Sequence, residues 1–171
     1  MNEILLKRRL IAFLIFVIMA NACSNYTSKN DYSVLALSDS LFVLNKEDNF
    51  VPSNYISNYK YVMFHCFNGN CSSCIIHLKT RASYIDSLFP KLGLIFVAQT
   101  EDTVMLNYYI LDRLKFKPPV LWDKDSLFFY KMKGVINDAQ TFCVNKKGEI
   151  ILSGDPLSDK RIEKKMMRIV R

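Results

Sequence analysis

The sequence lacks the patterns that several large classes of protein require. It has five glycines and five prolines in 171 residues, and it has no glycine-rich loop of the kind that holds a phosphate. With only two histidines, it offers no Ser-His-Asp combination typical of a hydrolase. It has no internal repeat, and no residue class is extreme enough to indicate disorder, collagen or a multi-span membrane protein. The composition is that of a globular protein of one domain plus a targeting segment.

The basic balance of the chain does not indicate nucleic-acid binding. The formal net charge is +7, but Lys7, Arg8 and Arg9 all belong to the N-terminal segment. The remaining basic residues are scattered, apart from a group near residues 160–171. Such a group on a terminal helix is typical of its solvated face.

The N-terminus has the order of a secretory signal. A basic stretch precedes an apolar run over residues 10–20, and small residues then lead to Cys23. The run is too short for a helix that spans a bilayer, which needs about 20 residues. The cysteine directly after Ala22 resembles the lipobox of bacterial lipoproteins, although Ala20 stands where that box usually has Leu. The resemblance implies a signal peptide over 1–22, lipidation of Cys23 and a polar tether over 23–32.

Two other interpretations of this segment remain open. It is also compatible with a plain cleaved signal that has an incidental cysteine, and with an uncleaved anchor helix. All three interpretations export the domain that follows.

The rest of the chain, residues 33–171, alternates between strand and helix patterns. Apolar runs without clean alternation predict strands buried on both faces, and apolar residues at helical spacing predict helices between them. The sequence predicts a pair of strand-like runs over 33–45, strands over 60–67, 92–98 and 120–123, helices over 75–89, from 102 to 114, over 125–131 and over 158–170, and a hairpin of 141–144 with 149–152. This order predicts an α/β fold with a mixed sheet.

Cys71 and Cys74 form a C-x-x-C pair at the predicted start of a helix, just after the turn Asn68-Gly69-Asn70. Unpaired N–H groups and the positive end of the helix dipole favour a thiolate at such a position. The sequence therefore predicts Cys71 as the attacking thiol and Cys74 as the thiol that resolves a mixed disulfide. The two are predicted to close a redox-active disulfide.

Two other roles for these cysteines stay open at this stage. One is a structural disulfide, which exported proteins keep, although so small a ring constrains little of the unfolded chain. The other is a copper or zinc site, because Cys66, Cys71, Cys74 and His77 are four metal-ligating residues within twelve positions.

The segment Val62–Cys74 (VMFHCFNGNCSSC) resembles the active-site strand and loop of membrane-anchored thiol-disulfide oxidoreductases, the group that includes the cytochrome-maturation thioredoxins. The stretch from Thr141 to Ile150 (TFCVNKKGEI) resembles their later strand and hairpin. The resemblance covers about residues 33–171. It implies a thioredoxin-like fold, in which a central mixed sheet is flanked by helices.

Two features depart from the family pattern. The dipeptide between the cysteines is Ser-Ser, where the family usually has Gly-Pro. Asp138, Ala139 and Gln140 occupy the substrate-docking loop, and Ala139 stands at the place of the family's cis-proline. Because a cis bond before a residue other than proline costs about 2.5–4 kcal/mol, this loop is predicted to run trans.

The resemblance implies an extracytoplasmic enzyme of the bacterial cell envelope that exchanges disulfides with exported proteins through Cys71 and Cys74. Such an enzyme requires no organic cofactor, and we expect no resident metal. Its partners are the thiols or disulfides of exported proteins, the membrane through the lipid on Cys23, and a membrane protein that supplies thiols when it acts as a reductase. A thioredoxin-fold binding module with idle cysteines is the third class that stays open.

Overall fold

Buried apolar strands form the centre of the domain, as their composition predicts. The computed structural model describes residues 34–46, 49–137 and 139–170. In these residues the strands pair into one six-stranded sheet in the order β1-β4-β3-β2-β5-β6. Their bounds are β1 (Phe42–Val43), β2 (Tyr61–Asn68), β3 (Gly93–Gln99), β4 (Val120–Asp123), β5 (Thr141–Asn145) and β6 (Ile150–Ser153).

Helices precede, separate and follow the strands in the chain, and they cover the sheet. Their bounds are α1 (Val34–Asp39), α2 (Pro52–Ser57), α3 (Ser72–Ile76), α4 (Leu78–Leu88), α5 (Val104–Asn107), α6 (Leu127–Lys133) and α7 (Lys160–Val170). A π-helical turn, Tyr108–Arg113, continues α5. No helix of the described ranges is long and apolar enough to cross a membrane.

The sheet is mixed, and its pairing confirms the α/β prediction. Strands β2, β3 and β4 are parallel neighbours. Strand β5 pairs antiparallel with β2 and with β6, and β1 pairs antiparallel with β4. The β5–β6 pair is the hairpin that the sequence predicts over 141–152.

Two apolar layers lie on opposite faces of β2. Its side chains alternate, so that Met63 and Phe67 pack with α4 and α7, whereas Val62, Phe64 and Cys66 pack on the other face with α1, α2 and α6. All six residues from Val62 to Phe67 are buried. Covering both faces removes a strand from water along its whole length, which explains why β2 has no polar-apolar alternation.

One prediction about the start of the domain is wrong. Residues 33–45 are predicted as two strand-like runs, but the structure has helix α1 and then only the two-residue β1. Val34 and Leu37 are buried at helical spacing against the face that holds Phe64, and Ser38 donates to the carbonyl of Leu35 at 2.9 Å. Burial of this helical stripe prevails over the strand propensity of the segment.

The helix predicted over 75–89 is divided at His77 into α3 (Ser72–Ile76) and α4 (Leu78–Leu88). Other boundaries move by one or two residues, and several predictions lie outside the described residues. Helix α6 spans Leu127–Lys133 rather than 125–131, and α7 begins at Lys160 rather than at 158. The predicted signal peptide (1–22), lipidated Cys23 and tether (23–32) lie outside the described residues.

A buried histidine lies in the middle of β2. His65 is 8% exposed, and its Nδ1 lies 2.9 Å from the Thr141 hydroxyl on β5. Burial lowers the pKa of His65 to about 4, and the nearby Arg81 charge acts in the same direction. Arg81 is itself held by a bidentate pair with Asp155, with both distances at 2.9 Å.

The buried His65 predicts a loss of stability in acid. Because its pKa is depressed in the folded state, the unfolded chain takes up a proton near pH 6.5 that the folded chain resists until about pH 4. The free energy of unfolding should therefore fall by about 2–3 kcal/mol between pH 7 and pH 4.5 from this group. Urea unfolding at the two pH values measures it.

The matched variant for this prediction is His65→Asn, which keeps a polar atom near the Thr141 hydroxyl but cannot titrate. Its unfolding free energy should change less with pH than that of the wild type. Equal pH slopes for the two proteins would contradict the assignment of this acid sensitivity to His65.

Candidate active site

The two cysteines of the C-x-x-C motif lie where the central strand gives way to helix α3. Strand β2 ends at Asn68, a turn follows, and Cys71 is the N-cap residue of α3. Cys71 and Cys74 form a disulfide, with a Cα–Cα distance of 5.2 Å. Ile75 next to Cys74 is fully buried in the apolar layer beside α4, which holds the short helix against the sheet.

The surroundings of the Cys71 sulfur favour a negative charge on it. Its Sγ accepts the backbone N–H of Cys74 at 3.2 Å, and the Ser73 hydroxyl lies 3.2 Å away. Both groups can donate to a thiolate after the disulfide is reduced, and such hydrogen bonds lower the pKa of a thiol. Ser73, one of the two residues that replace Gly-Pro, therefore places a hydroxyl within hydrogen-bond reach of the Cys71 sulfur.

Both sulfur-bearing residues are accessible from solvent, but to different degrees. Cys71 is half-buried and Cys74 is exposed. Accessibility alone therefore does not single out Cys71 as the attacking thiol. Cys71 as the attacking thiol therefore stays a prediction, and the two hydrogen bonds that converge on Cys71 Sγ favour it.

The turn that precedes Cys71 is held by the end of the neighbouring strand. The N–H of Gly69 donates to the carbonyl of Gln99 at 2.9 Å, and the Thr100 hydroxyl donates to Asn70 Oδ1 at 2.5 Å. A Cβ on Gly69 would lie 2.8 Å from Thr100 Cγ2, so any larger residue there would have to displace Thr100. Trp122 Nε1 in turn donates to the carbonyl of Thr100 at 2.7 Å.

Thr100 and Trp122 are thus part of the support for the site, and sequence reasoning missed Thr100. One signal for it existed. Thr100 directly follows a strand that is parallel to β2, and the carboxyl ends of parallel strands meet at one edge of a sheet.

The predicted docking loop is described only in part. Asp138 lies outside the described residues. The carbonyl of Gln140 accepts the N–H of Cys66 at 2.7 Å, and the N–H of Ala139 donates to Ile136 at 3.1 Å. The loop therefore runs beside the carboxyl-terminal half of β2. No peptide bond within the described residues is cis.

The residues of the alternative metal site do not come together. Cys66 is buried on the opposite face of the sheet from Met63, where burial raises the pKa of its thiol to about 12. His77 is exposed between α3 and α4. Across residues 34–46, 49–137 and 139–170, no three His, Cys, Asp or Glu side chains form a group that could hold a metal ion.

Comparison with known proteins places the fold. No protein-family model matches the sequence, and no curated protein is significantly similar to it. Solved structures do match. A thioredoxin-like protein in its oxidized form aligns with a TM-score of 0.57 and 14% identity, over 81% of this chain and 97% of that chain.

Two further structures match over a similar range. The thioredoxin domain of a thiol-disulfide oxidoreductase from Bacteroides vulgatus has a TM-score of 0.53 and 12% identity, over 78% of this chain and 98% of that chain. DsbF of MTB, solved in mixed oxidized and reduced forms, has a TM-score of 0.54 and 12% identity, over 81% and 98%. The domain therefore has a thioredoxin-like fold, as the sequence resemblance implies. At these identities the similarity establishes the fold alone.

The geometry predicts that Cys71 is the more acidic thiol of the reduced protein. Its alkylation by iodoacetamide should show a midpoint below the ordinary thiol value of about 8.5, because the Cys74 N–H and the Ser73 hydroxyl stabilise the thiolate. The rate of alkylation of Cys71 is measured against pH in the Cys74→Ser variant. The same measurement in the Cys71→Ser variant gives the midpoint for Cys74.

A second variant separates the two donors. Ser73→Ala should raise the midpoint for Cys71 and leave that for Cys74 nearly unchanged, since it removes the hydroxyl but keeps the backbone donor. If Cys74 alkylates at the lower pH although Cys71 receives the hydrogen bonds, the assigned order of the thiols is wrong.

Proposed function

We propose that this protein is a thiol-disulfide oxidoreductase that works through Cys71 and Cys74. One observation carries the proposal. The disulfide caps the start of a helix at the surface of a thioredoxin-like fold, and two donors converge on one of its sulfurs. This arrangement supplies both a stabilised leaving thiolate and access for a second protein.

The exchange needs only thiols and disulfides. In the reductive direction the Cys71 thiolate attacks a disulfide sulfur of the partner, forms a Cys71–partner bond and releases one partner thiolate, which takes up a proton. Cys74 then loses its proton and attacks Cys71 Sγ. The partner's second thiolate leaves and takes up the proton that Cys74 released. The partner has then gained two electrons and two protons, and the protein is left with the Cys71–Cys74 disulfide. The reverse sequence oxidises a dithiol.

A purely structural role for the disulfide has less support. The ring links residues only three positions apart, so it removes little conformational freedom from the unfolded chain. The surrounding helix is already anchored by the fully buried Ile75. A stabilising crosslink is more effective between distant segments than at this exposed turn.

We also propose that the domain acts outside the cytoplasm on exported proteins and is held to a membrane by lipid on Cys23. The signal-like order of residues 1–22 supports export, and the cysteine directly after Ala22 supports lipidation. Labelling with a fatty acid should mark the wild type but not Cys23→Ala. Label in both proteins would remove Cys23 as the attachment point.

A reductase in this compartment needs a supply of electrons. The proposed donor is a membrane protein that carries thiols to the outer side, since the exposed Cys74 and half-buried Cys71 are both open to a protein partner. The donor would attack the Cys71–Cys74 disulfide as the dithiol partner of the reverse exchange described above.

The decisive experiment traps the mixed disulfide. Cys74→Ser leaves the attacking thiol without its resolver, so this variant should accumulate covalent complexes with exported proteins that dissolve when dithiothreitol is added. Cys71→Ser should accumulate far fewer complexes. Both are measured as mobility shifts on non-reducing gels.

Insulin reduction by the purified full-length chain provides the matched activity. The rates of insulin reduction by Cys71→Ser and by Cys74→Ser should each be about tenfold or more below that of the wild type, because either change prevents the two-electron cycle. Wild-type activity in Cys71→Ser would overturn the proposal. Trapping by Cys71→Ser alone would reverse the roles of the two thiols.

A further inference from the structure

A cavity lies well away from the disulfide, toward the amino ends of the parallel strands. It has a volume of about 520 Å³, within the range of pockets that hold small organic ligands. One wall is a stripe of helix α4 at helical spacing, from Lys79 to Asp86, and Leu92 and Leu94 at the start of β3 form the floor. The opposite wall is the segment Leu114–Pro119, which leads into β4.

Two side chains, Asn45 and Lys46, hold the segment Leu114–Pro119 in place. Asn45 donates from Nδ2 to the carbonyls of Phe116 at 2.7 Å and Pro118 at 2.8 Å, and its Oδ1 accepts the N–H of Val120 at 2.8 Å. Lys46 Nζ adds a bond to the carbonyl of Lys117 at 2.6 Å. A wall fixed in this way costs little ordering entropy when a ligand binds.

The cavity is apolar inside and positively charged at its rim. Tyr55, Tyr59 and Phe116 contribute aromatic surface. The charged lining residues are four lysines and one carboxylate, and all five are exposed. They are Lys46, Lys79, Lys115, Lys117 and Asp86. Burial raises the pKa of Tyr55, and a hydrogen bond with Tyr59 acts in the same direction. The Tyr55 hydroxyl also accepts the N–H of Leu94 at 3.3 Å, so it is held inside the cavity wall.

One rim lysine has an unusual backbone. Lys115 adopts φ 47°, the left-handed region that residues other than glycine rarely occupy. A glycine would fit this turn without strain but would leave no ammonium group at the rim. This conformation ends the preceding helical segment, because the N–H of Phe116 donates to the carbonyl of Ile110 at 2.9 Å.

We propose that this cavity binds an organic anion, with its apolar body between α4 and Leu114–Pro119 and its carboxylate or phosphate among the rim lysines. The apolar part of the lining favours a ligand with an organic body over an inorganic ion alone, and the excess of lysines favours an anion over a neutral or cationic ligand. This binding is independent of thiol exchange, because neither Cys71 nor Cys74 lines the cavity.

The test is calorimetric titration of the full-length chain with 4-phenylbutyrate and with its neutral amide, 4-phenylbutyramide. The full-length chain is kept in detergent, and a titration of each probe into that detergent without protein is the reference. The carboxylate should bind saturably and about tenfold more tightly than the amide, and added salt should weaken only the carboxylate. Equal affinities for the two probes would overturn the proposal.

Variants locate the binding. Lys115→Gln and Lys79→Gln should each weaken 4-phenylbutyrate binding about threefold, and Ser83→Trp should block the cavity from its exposed helix face. Lys164→Gln, on the exposed face of α7, is the matched control and should bind like the wild type. An equal effect of the control variant would contradict the proposed site.

Two other results would also overturn it. One is tight binding of inorganic phosphate that the probe cannot displace. The other is association with phosphatidylglycerol vesicles without saturable 4-phenylbutyrate binding, which would assign the lysines to a membrane surface. Insulin reduction by Ser83→Trp should equal that of the wild type, which separates a failure of this site from a failure of the disulfide.

Discussion

The parallel pairing of β2 and β3 is the constraint on which the rest of the site depends. These strands run in register from Val62 beside Gly93 to Asn68 beside Gln99, so they end at the same edge of the sheet. Because they end together, the N–H of Gly69 reaches the carbonyl of Gln99, and Thr100 reaches Asn70. The turn between strand and helix is thereby fixed from the side.

A fixed turn matters because disulfide chemistry depends on where one sulfur lies relative to the helix start. Cys71 must be outside the helix, with its sulfur turned back toward the N–H of Cys74, which has no carbonyl partner within the helix. The buried Ile75 anchors the helix on one side and the Gly69–Thr100 contact anchors the turn on the other. The chain needs no charged residue between the cysteines, since backbone and hydroxyl dipoles provide the stabilisation.

Much of this arrangement could be predicted from the sequence. The continuous apolar runs predicted the bounds of the central strands β2 and β3 within one residue. They could do so because a strand that is buried on both faces consists almost entirely of apolar residues. The position of Cys71 at a helix start followed from the turn residues before it. Helix α1 could not be predicted, since Val34 and Leu37 are helical only because the opposite face of the sheet offers them a surface.

The supporting contacts were equally hidden. Thr100 lies thirty positions from Asn70 in the chain, and Asn45 reaches Pro118 across 73 positions. The sequence can indicate that two strand ends share an edge of the sheet, but it carries no signal for which side chains meet there. The cavity between α4 and Leu114–Pro119 has the same origin: its lysines are scattered in the chain and meet only at the amino ends of the strands.

The central claim is that the Cys71–Cys74 disulfide is a redox couple rather than a fixed crosslink. Equilibration of the full-length chain with glutathione buffers of graded ratio tests this most directly. The account predicts one reversible transition with a midpoint potential above about −300 mV. Its steepness should be that of a two-electron couple, for which about 30 mV changes the ratio of dithiol to disulfide tenfold. A disulfide that stays closed under all these buffers, as structural disulfides do, would contradict it.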